Sequence, residues 1–180
     1  MTYTSFTDGL ILRELTHDDW IDVHKYASQE IVCQYQPWGP NTEEDTKNFV
    51  DQAINDAAQS PRTRYVFAIV TKDVGKLIGI GEFNIRDFYN KNGEIAYIVH
   101  PGHWGKGVAT SVAKHLISFG FTTLNLHRIY ATCDPRNTGS ARVLEKSGMI
   151  LEGRIRESML IRDGWRDSLL YSILENECHA

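Results

Sequence analysis

Apolar and polar positions recur along this chain with two different periods, and the changes of period divide it into elements. Leu10 to Leu15 reads as a first strand. Thr16 followed by Asp19 has the spacing of a capping box and opens a helix that carries Trp20, Val23 and Tyr26. The run NTEEDTKNFVDQAINDAAQSP repeats the device. Thr42 and Asp45 can cap, Phe49, Ala53 and Ala57 recur every four residues, and Val50 and Ile54 widen the stripe until Ser60 and Pro61 end it.

The period then shortens to two. Tyr65 to Thr71, Lys76 to Arg86 and Gly93 to His100 are β-branched and aromatic runs separated by KDVG and DFYNKN, which predicts an antiparallel meander. Val108 to Phe121 returns to the helical period, with Val112, Leu116 and Phe119 on one side. Arg128 to Cys133 is a strand that ends at Asp134-Pro135, because the residue before a proline is pushed away from helix. A helix from about Thr138 to Ser147 follows, with Gly148 placed to be its left-handed terminus. Gly153 to Ile161 and Trp165 to Leu174 meet across Asp163-Gly164, a strong hairpin signal. The predicted order is β-α-α-β-β-β-α-β-α-β-β. This is an α/β fold with a mixed, mostly antiparallel sheet and about four helices. No repeat, low-complexity tract or linker interrupts it, so one domain spanning 1–180 is expected.

Composition narrows the class. With 42% hydrophobic residues the chain can bury a core, and 19 basic against 23 acidic residues argue against a general nucleic-acid or anionic-membrane binder, whose contacts rest on clustered Lys and Arg. No window approaches eighteen apolar residues, and the first fifteen lack a basic segment followed by an apolar run, so neither membrane spanning nor secretion is expected. Cys33, Cys133 and Cys178 are odd in number and widely spaced, as suits reduced thiols in a cytoplasmic protein.

Candidate chemistry concentrates in HPGHWGKGVATSV, from His100 to Val112. A strand, a glycine-bearing loop and a helix make an anion site, since the first amides of a helix have no internal partner and lie at the positive end of its dipole. Gly105 and Gly107 let the backbone approach a ligand or take positive φ, Ala109 keeps the next turn thin, and Lys106 adds a charge of minor weight. The nucleotide-binding GxxxxGK[ST] pattern is absent. GKGVAT also lacks the third glycine of a dinucleotide fingerprint, and its strand sits late in a meander rather than opening a βαβ unit. His100-x-x-His103 has no partner pair at metal-site spacing, so no metal is expected. Cys133 reads as core, and Arg154, Arg156, Arg162 and Arg166 as a solvated hairpin face that could gather an acidic substrate.

WGKGVAT, Trp104 to Thr110, resembles the acyl-CoA pyrophosphate loop of the GCN5-related N-acetyltransferases (GNAT), whose pattern is Q/R-x-x-G-x-G/A, with Trp104 standing where Gln or Arg is usual. A second block, CDPRNTGSARVLEKSGMILEGRIRE from Cys133 to Glu157, together with the later DGWRDSLLYSIL hairpin, is similar to the RimJ/RimL-type branch that acetylates ribosomal-protein N-termini. The resemblance covers nearly the whole chain, and its strand and helix order matches the family's fold.

The resemblance implies acetyl-CoA as co-substrate and direct transfer to a primary amine within a ternary complex. Trp104, Gly105, Lys106, Gly107, Val108, Ala109 and Thr110 would hold the pyrophosphate. The preceding strand would splay from its neighbour so that Ile98, Val99 and His100 offer backbone groups to the pantetheine and thioester. Asn137, before a helix, would contact CoA or cap that helix. Glu82 and Glu94 are the in-sheet carboxylates nearest the expected cleft, each open to being a general base or a solvated strand residue, with Glu94 preferred for its strand. Many members carry a Tyr as thiolate acid where this chain has Leu144, and Ser140, one turn earlier, would donate to or position the sulfur instead. The expected acceptor is a peptide or protein α-amine, partly neutral near pH 7.5, with a small amine or polyamine as the alternative. A non-catalytic acyl-CoA-binding module is the rival class. Trp20, Tyr35 and Trp38 lie in the segment that shapes the acceptor side in relatives, and self-association as a homodimer stays open.

Overall fold

In the computed structural model, which describes residues 4–7 as backbone and residues 9–178 in full, a short strand β1 (Thr4–Thr7) pairs antiparallel with β2 (Leu10–Glu14). The expected 1–180 domain extends at both ends beyond the described residues. A helical turn at His17–Asp19 leads into α1 (Trp20–Ala27), a single-turn α2 (Glu30–Cys33), and α3 (Glu43–Ala57). The meander follows as β3 (Arg64–Thr71), β4 (Leu77–Asp87) and β5 (Asn92–Val99), antiparallel throughout. Then come α4 (Val108–Thr122), β6 (Arg128–Cys133), α5 (Thr138–Lys146), and the hairpin of β7 (Ile150–Ile161) and β8 (Gly164–Leu174). All eight strands form one sheet in the order β1-β2-β3-β4-β5-β6-β8-β7.

Local chemistry accounts for the element ends. Thr42 Oγ1 accepts from the Asp45 amide at 3.1 Å while the Asp45 carboxylate accepts from the Thr42 amide at 2.9 Å, a reciprocal cap that satisfies two helix-end donors of α3. Asp19 does the same for Thr16 and also takes two hydrogen bonds from Arg13, fixing α1 to β2. Gly148 ends α5 at φ +90°.

Strand alternation sends side chains to two helical layers. Val66, Ala68 and Val70 of β3 pack with Val23, Tyr26, Val50 and Ala53 beneath α1 and α3, while Ile69, Phe83, Ile95, Val112, Leu116 and Ile129 fill the layer beneath α4. Leu144 of α5 and Tyr171 of β8 close that second core. Among the described residues no helix is long and apolar enough to cross a membrane.

Three features depart from the sequence reading. β1 and α2 are additional. The hairpin turn is made by Arg162 and Asp163, with Ile161 paired to Gly164, so Gly164 at φ +119° is the first residue of β8 rather than the second turn residue. Arg166 is not on a solvated face: β8 turns it inward, 9% exposed, and its guanidinium donates to the Tyr35 carbonyl at 3.1 Å.

Candidate active site

The site begins where the sheet opens. β5 and β6 run parallel and pair at Asn92↔Arg128, Gly93↔Ile129 and Glu94↔Tyr130 only. Beyond Glu94 the strands part. A cavity of about 830 Å³ occupies the gap and continues to the α1–α3 side, lined by Ile95 to Ile98 of β5, Ala131 to Cys133 of β6 and Asp134 just beyond it, and Asn137, Ser140 and Leu144 at α5.

Strand alternation decides which backbone groups face that gap. Ile98 pairs opposite Ile80, and the His100 amide donates to the Ile78 carbonyl at 2.8 Å, so both turn their hydrogen-bonding edge towards β4. Successive residues of a strand point their amides to opposite edges. Of the expected trio Ile98, Val99 and His100, only Val99 therefore turns its amide to the gap, and Tyr97 joins it. Trp104 adds a fixed contact there, its indole N–H donating to the Val99 carbonyl at 2.6 Å.

The loop after β5 has the conformation that its glycines permit. Gly105 and Gly107 lie at φ +74° and +80°, a region that L side chains enter only at a steric cost, and Gly107 is the N-cap of α4. Nothing lies within 4 Å of where a Cβ on either would stand, so the space beside both glycines at the start of α4 is open. The Lys106 ammonium is tied back, donating to the Gly102 carbonyl at 2.9 Å.

Asn137 caps α5, its Oδ1 accepting from the Ser140 amide at 3.0 Å, while its residue also lines the cavity. Capping leaves the two N–H donors of that side chain for other partners. Leu144 is 1% exposed, an apolar cavity wall. The Ser140 hydroxyl lies 3.1 Å from the Tyr97 phenol oxygen, a contact that no sequence spacing announces. Cys133 lies beside them, and burial raises its thiol to about 11, so it stays a protonated, weak nucleophile.

The two candidate bases separate. Glu82 lines the cavity. Its carboxylate receives Arg64 through Nε at 2.9 Å and Nη2 at 3.1 Å and Asn84 at 2.8 Å, and Arg64 is held in turn by Asp56. Glu94 sits at the last paired rung, before the strands part, where it accepts two hydrogen bonds from Arg86 and does not line the cavity. Two residues of register account for the exclusion, since Glu94 lies opposite Asn84 and Ala96 opposite Glu82.

Tyr35, Trp38, Asn41, Asp45, Asn48 and Phe49 form the far wall. Trp20 is not part of it; it lies outside that lining with the Lys47 ammonium over its ring at 4.1 Å. Burial would raise the Asp134 carboxyl, but hydrogen bonds from the Arg136 side chain and backbone carry it below the usual range. Among the described residues no group of His, Cys, Asp and Glu is arranged to hold a metal.

Comparison with known proteins agrees with the geometry. The family described as Acetyltransferase (GNAT) domain matches residues 9–150. The chain is 37% identical over 171 residues to the uncharacterized N-acetyltransferase YnaD of Bacillus subtilis (strain 168), covering 95% of this chain and 96% of that one. It is 27% identical over 169 residues to the spermidine N(1)-acetyltransferase of Escherichia coli (strain K12), covering 92% and 86%. The crystal structure of a GNAT-family acetyltransferase from Bacillus anthracis superposes with a TM-score of 0.84 at 34% identity, over 97% of this chain and 99% of that one. A splayed sheet, a glycine loop at a helix start and relatives matching almost end to end lead to one conclusion: the chain belongs to the GNAT family of acetyltransferases and is an N-acetyltransferase that uses acetyl-CoA.

Proposed function

We propose that this enzyme transfers the acetyl group directly to a primary α-amine, the N-terminus of a peptide or protein of the kind acetylated by the ribosomal-protein branch, in the cytoplasm. The observation that carries the acceptor class is the state of the cavity's carboxylates. Asp45 is engaged by Thr42, Glu82 by Arg64 and Asn84, and Asp134 by Arg136. A polyamine, almost fully protonated with a pKa near 10.4, needs unengaged carboxylates, whereas an α-amine near 8 has a usable neutral fraction at pH 7.5.

In this reading the Trp104–Thr110 loop holds the pyrophosphate and the Asn137 side-chain amide helps to seat CoA. The Val99 amide hydrogen-bonds along the gap and polarises the thioester. The neutral amine attacks the carbonyl carbon, the C–S bond breaks with its electron pair going to sulfur, and the ammonium proton passes to Glu82 directly or through water. Glu82 takes the role in preference to Glu94 because it lines the cavity. Cys133 carries no acyl group, since its thiol stays protonated.

Similarity to a spermidine N(1)-acetyltransferase favours a polyamine as the second reading. The test is competitive: a short peptide with a free N-terminus, the same peptide N-blocked but containing lysine, and spermidine, at matched concentration. The free N-terminus is expected to be acetylated fastest. Faster transfer to spermidine or to the blocked lysine peptide would overturn the α-amine assignment, and CoA binding without turnover on any amine would favour a binding module.

A further inference from the structure

At the mouth of the gap three side chains from three elements meet: Tyr97 of β5, Cys133 of β6 and Ser140 of α5, all lining the cavity. Tyr97 is the one with no assigned part. Its phenol oxygen stands 3.1 Å from Ser140 Oγ and 3.4 Å from the Ser140 carbonyl oxygen, on the side of the sheet that faces α4 and α5. The Ser140 amide donates to Asn137 Oδ1 at 3.0 Å, which fixes the backbone that carries the hydroxyl. Packing also fixes the ring, which lies against the core beneath α4.

We propose that Tyr97 is a positioning residue for the departing thiolate, orienting the Ser140 hydroxyl so that its proton points into the cavity at the thioester sulfur. This rests on the reading above only in that acetyl-CoA occupies the gap; it does not depend on which amine accepts. The argument is one of hydrogen-bond inventory. A serine hydroxyl has one proton and two acceptor sites, and left free it rotates to suit its nearest acceptor. The phenol has one proton and two Ser140 acceptors within reach, the carbonyl at 3.4 Å and Oγ at 3.1 Å; donated along the shorter contact, it fills one acceptor site of Oγ and leaves the serine proton for a third group. The Cys133 thiol lines the same cavity as Ser140. Being protonated, it competes weakly as an acceptor.

Acidity sets what the pair does. Burial pushes the Tyr97 phenol above its ordinary value, with the Ser140 hydrogen bond pulling the other way, so it remains a neutral donor throughout the working range. A thiol titrates near 8.5, so full transfer of a proton from phenol to thiolate would run uphill. The hydroxyls therefore donate hydrogen bonds to the charge that develops on sulfur, and CoA leaves as the thiolate. The electron pair of the C–S bond goes to sulfur, the amine proton goes to base or water, and neither Tyr97 nor Ser140 ends the reaction altered. Because that hydrogen bond strengthens only as the C–S bond breaks, its loss falls on kcat and spares CoA binding.

The test is a double-mutant cycle of Tyr97→Phe, Ser140→Ala and the pair, with kcat measured on whichever amine the unaltered enzyme uses, so that failure of the α-amine assignment leaves it intact. Tyr97→Phe is expected to lower kcat about five- to tenfold, the worth of one oriented hydrogen bond. The dissociation constant for acetyl-CoA, by calorimetry, should stay within twofold. In the Ser140→Ala background the same change should have no further effect. A silent Tyr97→Phe, equal penalties in both backgrounds, or a loss confined to acetyl-CoA binding would each overturn the proposal. Melting temperatures of the four proteins check the fold. Should Tyr97→Phe unfold, the serine carries the test alone: Ser140→Thr keeps the hydroxyl and must restore at least half of the turnover that Ser140→Ala loses, or the proposal fails.

Discussion

Replacing Gly107 by Val separates what the loop does for the protein from what it does for the ligand. At φ +80° and ψ −4° the residue is left-handed, and a side chain there costs about 1–2 kcal/mol, more for a β-branched one. Nothing in the protein lies within 4 Å of the new Cβ, so no clash adds to that strain. For a domain of this size each kcal/mol moves Tm by about 2–4 °C, so Gly107→Val should fold and melt several degrees lower. Ligand binding should suffer far more. The added side chain stands in the open space that a pyrophosphate would use to reach the amides of Val108, Ala109 and Thr110. A hydrogen bond to a charged group is worth about 1.5–3 kcal/mol, so loss of two is about 3–6 kcal/mol and weakens binding by about 100-fold or more. Lys106→Ala removes an exposed ammonium that already donates to the Gly102 carbonyl, and about 1 kcal/mol or less is expected. The assay is calorimetric titration with acetyl-CoA at fixed ionic strength, beside thermal melts. Comparable losses for the two variants would refute the backbone account, and so would normal affinity in a folded Gly107→Val.

Three further outcomes are expected. Glu82→Gln should lower kcat/KM by about 100-fold or more, the range of a lost general base, while Glu94→Gln stays within a few fold; the reverse pattern returns the role to Glu94, and two silent variants mean the amine arrives neutral. Cys133→Ala should keep turnover within a few fold, and an acetylated Cys133 trapped by mass spectrometry would refute direct transfer. Asp134 carries a lowered carboxyl pKa, so the stability it contributes is complete above its unfolded value near 3.9 and is lost as pH falls through the lower folded value. Asp134→Asn should therefore destabilise by about 1.5–3 kcal/mol at pH 7, the worth of a hydrogen bond to a charged group, and the Tm gap to the unaltered protein should begin to close only below about pH 4; a gap independent of pH would assign the loss to packing.

Elements whose signal lies within one stretch of chain were legible before the structure. Thr42 and Asp45 reciprocate across three residues, Arg128 to Cys133 alternates to its end, and Gly148 takes the left-handed φ. The glycines at 105 and 107 likewise announced a loop with positive φ. What escaped depends on partners distant in sequence. β1 is four residues without an alternating apolar pattern and exists through its pairing with β2. The inward turn of Arg166 follows from the register of β8 with β7 and β6, which its own neighbours do not specify. The same reason separates Glu82 from Glu94: both stand on neighbouring strands with similar surroundings in sequence, and only the rung at which β5 and β6 cease to pair decides which faces the cavity.

That division follows the chemistry of the two substrates. In the proposed reading the pyrophosphate meets backbone groups from one contiguous loop and helix start, so the co-substrate half is written locally and does not depend on Trp104 standing in place of the usual Gln or Arg. The acceptor wall is assembled from three segments far apart in the chain: residues around Tyr35 to Phe49, the Arg64–Glu82 pair, and the hairpin behind them. Arg166 joins the first to the last by donating to the Tyr35 carbonyl, and Arg136 reaches from the β6–α5 loop to Asp163 at the hairpin turn at 3.1 Å. A change of one residue at any of these joints shifts the wall without touching the loop. Acceptor preference can therefore diverge among relatives that keep the same CoA site, which is how a chain 37% identical to one N-acetyltransferase can also align end to end with an enzyme for spermidine. If the proposed acceptor wall is right, its specificity lies in the packing between those segments, and exchanging the segment from Tyr35 to Trp38, anchored by Arg166, with that of a relative is expected to shift acceptor preference while leaving acetyl-CoA affinity unchanged.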